Sequence, residues 1–109
     1  MAKVTHEIFT PNVEGLPIAY HLDRPPLHSG EVNWHDALEI LLCTEGEGIL
    51  IADGRSTPMS VDDIAVINSN AIHGVRRIGE MRYHCLIIEY EFCRQNGIDL
   101  SSLCFSVQM

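Results

Sequence analysis

From residue 32 onward, turn-forming residues cut the chain into short apolar runs at intervals of roughly eight to twelve positions. The rhythm predicts strands at Leu38–Thr44, Gly48–Ala52, Arg55–Pro58, Ile64–Ile67, Ala71–Ile78 and Arg82–Tyr90. The expected connections are Glu45-Gly46-Glu47-Gly48, Asp53-Gly54, Asp62-Asp63, Asn68-Ser69-Asn70 and Gly79-Glu80. Asp53-Gly54 is the strongest hairpin signal, because that pair readily takes the positive φ values of a type I′ turn. No run alternates with a long amphipathic helix, so a sandwich or small barrel is expected rather than a parallel α/β fold. One short helix is expected at Glu91–Asn96, stopped by Gly97, with a last strand at Leu103–Val107. Ahead of these, Ile18–Leu22 reads as a first strand and Asp23-Arg24-Pro25-Pro26 as a break. Residues 1–17 carry turn chemistry and little periodicity, which suits an arm that is either disordered or folded over the barrel mouth as a lid.

A chain of 109 residues is one domain, 18–109 after the arm, and with 46% hydrophobic residues it can bury a core without disulfides. Unbroken apolar runs such as Ile40–Cys43 are far too short to span a membrane, and Met1–Glu7 lacks a signal pattern; a cytoplasmic protein without a membrane partner is expected. The net charge of −8 argues against DNA or RNA binding by this chain itself. Its one basic cluster, Arg76, Arg77 and Arg82 with Arg94 further on, reads as a solvated turn and its flanks, or else as a contact surface for an acidic partner or ligand. Cys43, Cys85, Cys93 and Cys104 form no C-x-x-C pair, so buried free thiols are expected rather than a zinc ribbon or redox dithiol.

Chemistry concentrates in Asn33-Trp34-His35-Asp36-Ala37-Leu38-Glu39 and in the stretch from Asp62 to His73. On a regular strand Asn33, His35 and Glu39 share one face. Leu41 and Cys43 continue that parity and extend the inner lining, whereas Trp34 faces away. Ile49 and Ile51, or Leu50 and Ala52, supply a further strip that periodicity does not choose between. His73 lies on a separate strand that an antiparallel barrel can bring alongside. Two imidazoles, a carboxylate and an amide then converge, and such a set suits Fe(II), Mn or Zn. The same residues can instead line a pocket and hydrogen-bond a polar ligand. His21 and His84 are further candidates for the interior.

The two stretches resemble the cupin motifs. In G-x5-H-x-H-x3,4-E-x6-G, His35, Glu39 and Gly46 match in type and spacing, while Asn33 replaces the first His and Leu27 the leading Gly. In G-x5-P-x-G-x2-H-x3-N, His73 matches, while Asp62, Asn68, Asn70 and Arg77 stand where Gly, Pro, Gly and Asn are expected. Over residues 15–107 the finer texture is similar to the N-terminal sensor domain of AraC-type regulators, in "ALEILLCTEGEGILIADG", "VDDIAVINSNAIHGV", "MRYHCLIIEYEF" and "NGIDLSSLCF".

The resemblance implies an all-β, cupin-type double-stranded β-helix (a jelly-roll barrel) with a short C-terminal helix. It implies a binding module rather than an enzyme. Asn33, His35, Glu39, Leu41, Cys43 and His73 would line the site of a small effector, a sugar among the candidates. It further implies a homodimer that meets DNA only through a helix-turn-helix domain absent from this chain, either an excised fragment or a stand-alone sensor. No cofactor is expected on that reading. The rival is a metal cupin dioxygenase or isomerase, with Zn, Fe, Mn or Ni on His35, Glu39, His73 and Asn33. Replacing both His35 and His73 by Ala is expected to spare folding and weaken effector binding.

Overall fold

The computed structural model describes residues 4–26 and 32–100, with the side chain of residue 77 outside that description. Seven strands and one helix follow in order: β1 Val4–His6, β2 Ile18–Arg24, β3 Val32–Trp34, β4 Leu38–Ala52, β5 Arg55–Ser60, β6 Ile64–Ile67, β7 His73–Ile88 and α1 Tyr90–Gln95. The expected strand at Leu103–Val107, and Cys104 with it, lie outside the described residues.

Two long antiparallel strands organise the molecule. β4 and β7 pair from Leu38↔Ile88 to Ala52↔His73. At one end of this ribbon, β2 flanks β7 and β6 flanks β4. At the other, β3 flanks β7 and β5 flanks β4, with β1 added in parallel beyond β3. The ribbon therefore runs from one sheet into a second, and the inner faces of both meet in one core of Leu41, Cys43, Leu50, Met59, Ile67, Val75, Met81, Tyr83, Cys85 and Ile87. This is a jelly-roll arrangement, whose strands change sheets at bends and bulges.

Two expected turns are not turns. Glu45–Gly48 does not reverse the chain, nor does Gly79-Glu80; both are irregularities in the long ribbon, facing each other. Arg76, Arg77 and Arg82 accordingly belong to one continuous strand rather than to a turn. Glycine signals a positive φ whether the chain turns back or only bulges. Gly46 takes φ +66 and passes so close to β7 that a Cβ there would lie 1.7 Å from the carbonyl oxygen of Glu80. β4 gains one residue between Cys43 and Glu45 relative to β7, and β7 gains two opposite Gly46–Gly48. One extra residue flips every later side chain, and two restore the parity. The inner face of β4 thus changes from Glu39, Leu41 and Cys43 to Gly48 and Leu50, while β7 keeps His73, Val75, Met81, Tyr83, Cys85 and Ile87 inward. The slip answers the open question of the second strip, because Leu50 faces in and Ile49 and Ile51 are only half-buried.

Other elements follow local chemistry. Asp53 and Gly54 take φ 48 and 79, as a type I′ turn requires, between the paired Ala52 and Arg55. The helix ends in a Schellman motif, with Gly97 at φ +79, its N–H donating to Arg94 O and the N–H of Ile98 donating to Cys93 O. Cys43, Cys85 and Cys93 are buried free thiols. The arm contains a strand that its weak periodicity concealed, because β1 is three exposed residues held by β3 rather than by burial.

Candidate functional site

The corner between β3 and β4 makes the site. Four residues along an extended strand separate two Cα atoms by about 13 Å, too far for a direct contact between side chains. Yet His35 Nε2 lies 2.8 Å from Glu39 Oε1, because the chain leaves the extended path at Asp36 and Ala37. The regular strand assumed for Asn33 through Glu39 is therefore corrected to a strand, a bend and a second strand. The corner is tied to the turn before β7: Asn70 N–H donates to His35 O at 2.8 Å and Ser69 Oγ–H to Asp36 O at 2.7 Å. Those bonds bring His73 over the same carboxylate, with Nε2 3.2 Å from Glu39 Oε1, and the two imidazoles meet edge to face at 4.8 Å.

His35, Glu39 and His73 are all buried, at 3%, 6% and 6% exposure. Each histidine is pinned by the carbonyl two residues away, Nδ1 to Ala37 O at 3.0 Å for His35 and Nδ1 to Ala71 O at 2.9 Å for His73. A carbonyl only accepts, so both Nδ1 atoms carry the proton and both Nε2 atoms face Glu39. In neutral rings, two Nε2 lone pairs and a carboxylate oxygen would confront one another. Protons or a cation reconcile them. With protons, burial on its own would raise the Glu39 pKa, but the hydrogen bonds from His35 and His73 outweigh it and hold the carboxyl well below the usual range. Burial on its own would lower the His73 pKa, but the hydrogen bond and charge of Glu39 outweigh it and raise it.

The same geometry fits a metal ion. The three ligand atoms lie within 4.8 Å of one another. Ligands about 2.1 Å from a common zinc ion stand roughly 3.4 Å apart in a tetrahedron, close to the two contacts with Glu39. Backbone carbonyls on the outer nitrogens are the usual means of presenting the inner ones to a metal. His35 Nε2, His73 Nε2 and Glu39 Oε1 would be the ligands, and a divalent ion there would act as a Lewis acid on a bound oxygen.

Asn33 stands apart from the three. It pairs with His73 along the backbone, but its amide Nδ2 donates to Glu7 Oε2 on the arm at 3.4 Å. Leu41 and Cys43 do face inward, but they are 1% and 0% exposed within the packed core and line neither of the chambers near the site. Leu50, Met59 and Tyr83 pack with them in that core. Trp34 faces away from His35 and His73 and stacks on His6 of the arm, centroids 4.0 Å apart and planes 15° from parallel. His84 is outward, its Nδ1 accepting from the N–H of Asp23 at 3.1 Å.

Two chambers flank the triad. One of about 40 Å³ is lined by Glu7, Arg24, Asn33, Glu39, His73 and Tyr83, among others. The second, about 170 Å³, is lined by Glu7, Ile8, Phe9, Thr10, Ala19, His21, Arg24, His35 and Ile87. Sequence reasoning overlooked Arg24 and Tyr83, and left the arm that supplies Glu7–Thr10 open between a lid and a disordered terminus. Nothing in local patterning marks Arg24 and Tyr83, which reach the chambers from the neighbouring strands β2 and β7.

The sequence model of one family, described as AraC-like ligand binding domain, matches residues 15–106. No curated protein matches the chain. Among solved structures, a cupin 2 conserved barrel domain protein of Salinispora arenicola superposes with TM-score 0.58 at 17% identity, over 83% of this chain and 77% of that one. A protein of Neisseria meningitidis gives TM-score 0.60 at 19% identity over 76% and 87% of the two chains. A predicted oxalate decarboxylase of Thermotoga maritima gives 0.54 at 23% over 65% and 64%. At these identities the likenesses carry the barrel fold alone.

Proposed function

The chain belongs to the family of AraC-like ligand binding domains, and from that membership we propose that it senses a small organic effector for a bacterial transcription regulator. Occupancy would bias a helix-turn-helix DNA-binding unit supplied outside this barrel; the domain itself catalyses nothing. The observation that carries the reading is the larger chamber, walled by Ile8, Phe9 and Thr10 of the arm on one side and by His21, His35 and Ile87 of the barrel on the other. Anything held there touches both. The arm is held at its base by three exposed residues of β1, the Glu7 N–H to Trp34 O bond and the His6–Trp34 stack. A ligand that contacts a seated arm has a higher affinity for that state than for a released one, which is what a sensor requires.

The working unit on this reading is a cytoplasmic homodimer. On the outer face of the first sheet, Tyr20, Leu86, Ile40 and Val66 form one row and His84, Leu42 and Ile64 the next, with Leu22 following on β2. Among the described residues α1 packs against Leu38, Val66 and Ile88 and leaves Leu22, Tyr20 and Ile64 at 59%, 43% and 45% exposure.

The test is a fragment screen of small polar organic molecules, sugars included, followed by amide NMR. Binding compounds should shift Phe9, Ala19 and Ile87 and slow hydrogen exchange at the Glu7 amide. Deleting residues 1–10 should weaken them at least tenfold. A chamber that takes no compound, or an arm whose removal changes nothing, would refute the sensor. The rival metal enzyme is favoured by one observation, the convergence of His35, Glu39 and His73. Stoichiometric transition metal in the purified protein, together with turnover of a substrate, would support it instead.

A further inference from the structure

β2 and β7 run in register from Ile18↔Ile88 to His21↔Cys85, but Arg24 then lies opposite Tyr83, one residue out of step. The slip lies beside Asp23, whose φ is 51. On an unbroken strand Arg24 would share the outer face with Tyr20 and Leu22. The extra residue turns it inward instead, to the side of the buried Ala19. Bulges commonly re-aim a side chain at a functional site. Here the re-aimed side chain is half-buried and lines both chambers beside the triad.

Among the described residues Arg24 has no ion-pairing carboxylate. Burial pushes the Cys85 thiol pKa up, and the nearby Arg24 guanidinium pulls against that rise. The two carboxylates at the chambers are engaged elsewhere, Glu7 with Asn33 and Glu39 with both histidines. A cation drawn part-way out of water without a partner costs stability, and no carboxylate among the described residues offsets that cost for Arg24. Ile8, Phe9, Ala19 and Ile87 line the larger chamber with it, beside the polar Glu7, Thr10, His21 and His35.

We infer that the ligand of this chamber is a small monocarboxylate, its carboxylate on the Arg24 fork and a compact apolar body between Phe9 and Ile87. The inference rests on the sensing role proposed above and names the class of effector. A planar guanidinium pairs bidentately with a carboxylate, whereas a neutral sugar would leave its charge uncompensated. Size agrees, since an apolar cavity of about 150 Å³ holds a benzene ring and this chamber is about 170 Å³.

Calorimetric titration of the whole chain with benzoate, pentanoate, benzamide and a neutral pentose tests the inference. Benzoate or pentanoate should bind, with benzamide at least tenfold weaker than benzoate. Arg24→Gln should lower carboxylate affinity at least tenfold and abolish the difference between benzoate and benzamide. If that variant does not fold, the wild-type affinity ratio and nuclear Overhauser contacts from the bound acid to Phe9 and Ile87 decide. Benzamide or the pentose binding as well as the acids, acids indifferent to Arg24→Gln, or no acid binding at all would each overturn the carboxylate assignment. A pentose that binds where the acids do not would do so while leaving the sensor reading intact.

Discussion

Glu39 is buried, with His35 and His73 as its hydrogen-bond and ion-pair partners. Removing both leaves a carboxylate in the core without compensation, a change that typically costs about 3–5 kcal/mol. His35→Ala with His73→Ala should therefore destabilise the fold, against the expectation that the pair is dispensable, and adding Glu39→Leu should recover most of the loss in urea unfolding. In the metal-free protein the cluster also dictates a pH dependence. The depressed Glu39 pKa contributes stability present above its unfolded value near about 4.3 and lost as pH falls. The raised His73 pKa contributes stability present below its unfolded value near about 6.5 and lost as pH rises through the folded value. Urea midpoints of chelator-treated protein should thus be highest at about pH 5–6 and decline on both sides, and Glu39→Gln should flatten the curve. Residue identity made His35, Glu39 and His73 visible in sequence, because few other side chains suit such a cluster. Arg24 was invisible, because its inward direction depends on a bulge whose only local mark is an aspartate at positive φ.

At the scale of elements, the two glycine-rich irregularities differ in kind from the true hairpin. Gly54 has φ +79 and open space around its Cβ position, so Gly54→Ala should cost only the left-handed penalty of about 1–2 kcal/mol. Gly46 adds a backbone clash to the same penalty, and Gly46→Ala should cost about 2–5 kcal/mol. Urea unfolding of the two variants side by side measures the difference. It also reports whether β4 and β7 are a single ribbon, because a solvent-exposed hairpin tip at Glu45–Gly48 would tolerate both changes alike.

For the whole molecule, the apolar rows on the outer sheet predict self-association. Sedimentation at tens of micromolar should show a dimer, and Leu22→Glu with Ile64→Lys should yield a folded monomer with an unchanged circular dichroism spectrum. A wild-type monomer, or a double variant that still dimerises, would assign those rows to some other neighbour. Among the described residues no helix is long and apolar enough to cross a membrane.

The all-β class, the Asp53-Gly54 hairpin, the glycine-stopped helix and the buried thiols were legible in the chain because each rests on local propensity or on the alternation of apolar residues over a few positions. Residue type and the likeness to the cupin motifs pointed to His35, Glu39 and His73, although the regular strand assumed between His35 and Glu39 is broken by a bend. Only the folded chain decided that Glu45–Gly48 and Gly79-Glu80 are bulges rather than turns, that Leu50 rather than Ile49 faces inward, and that Arg24 and the arm reach the chambers. Each of those outcomes hangs on the register between distant strands. A slip of one residue reverses every side chain beyond it, and no local pattern records where two strands will slip.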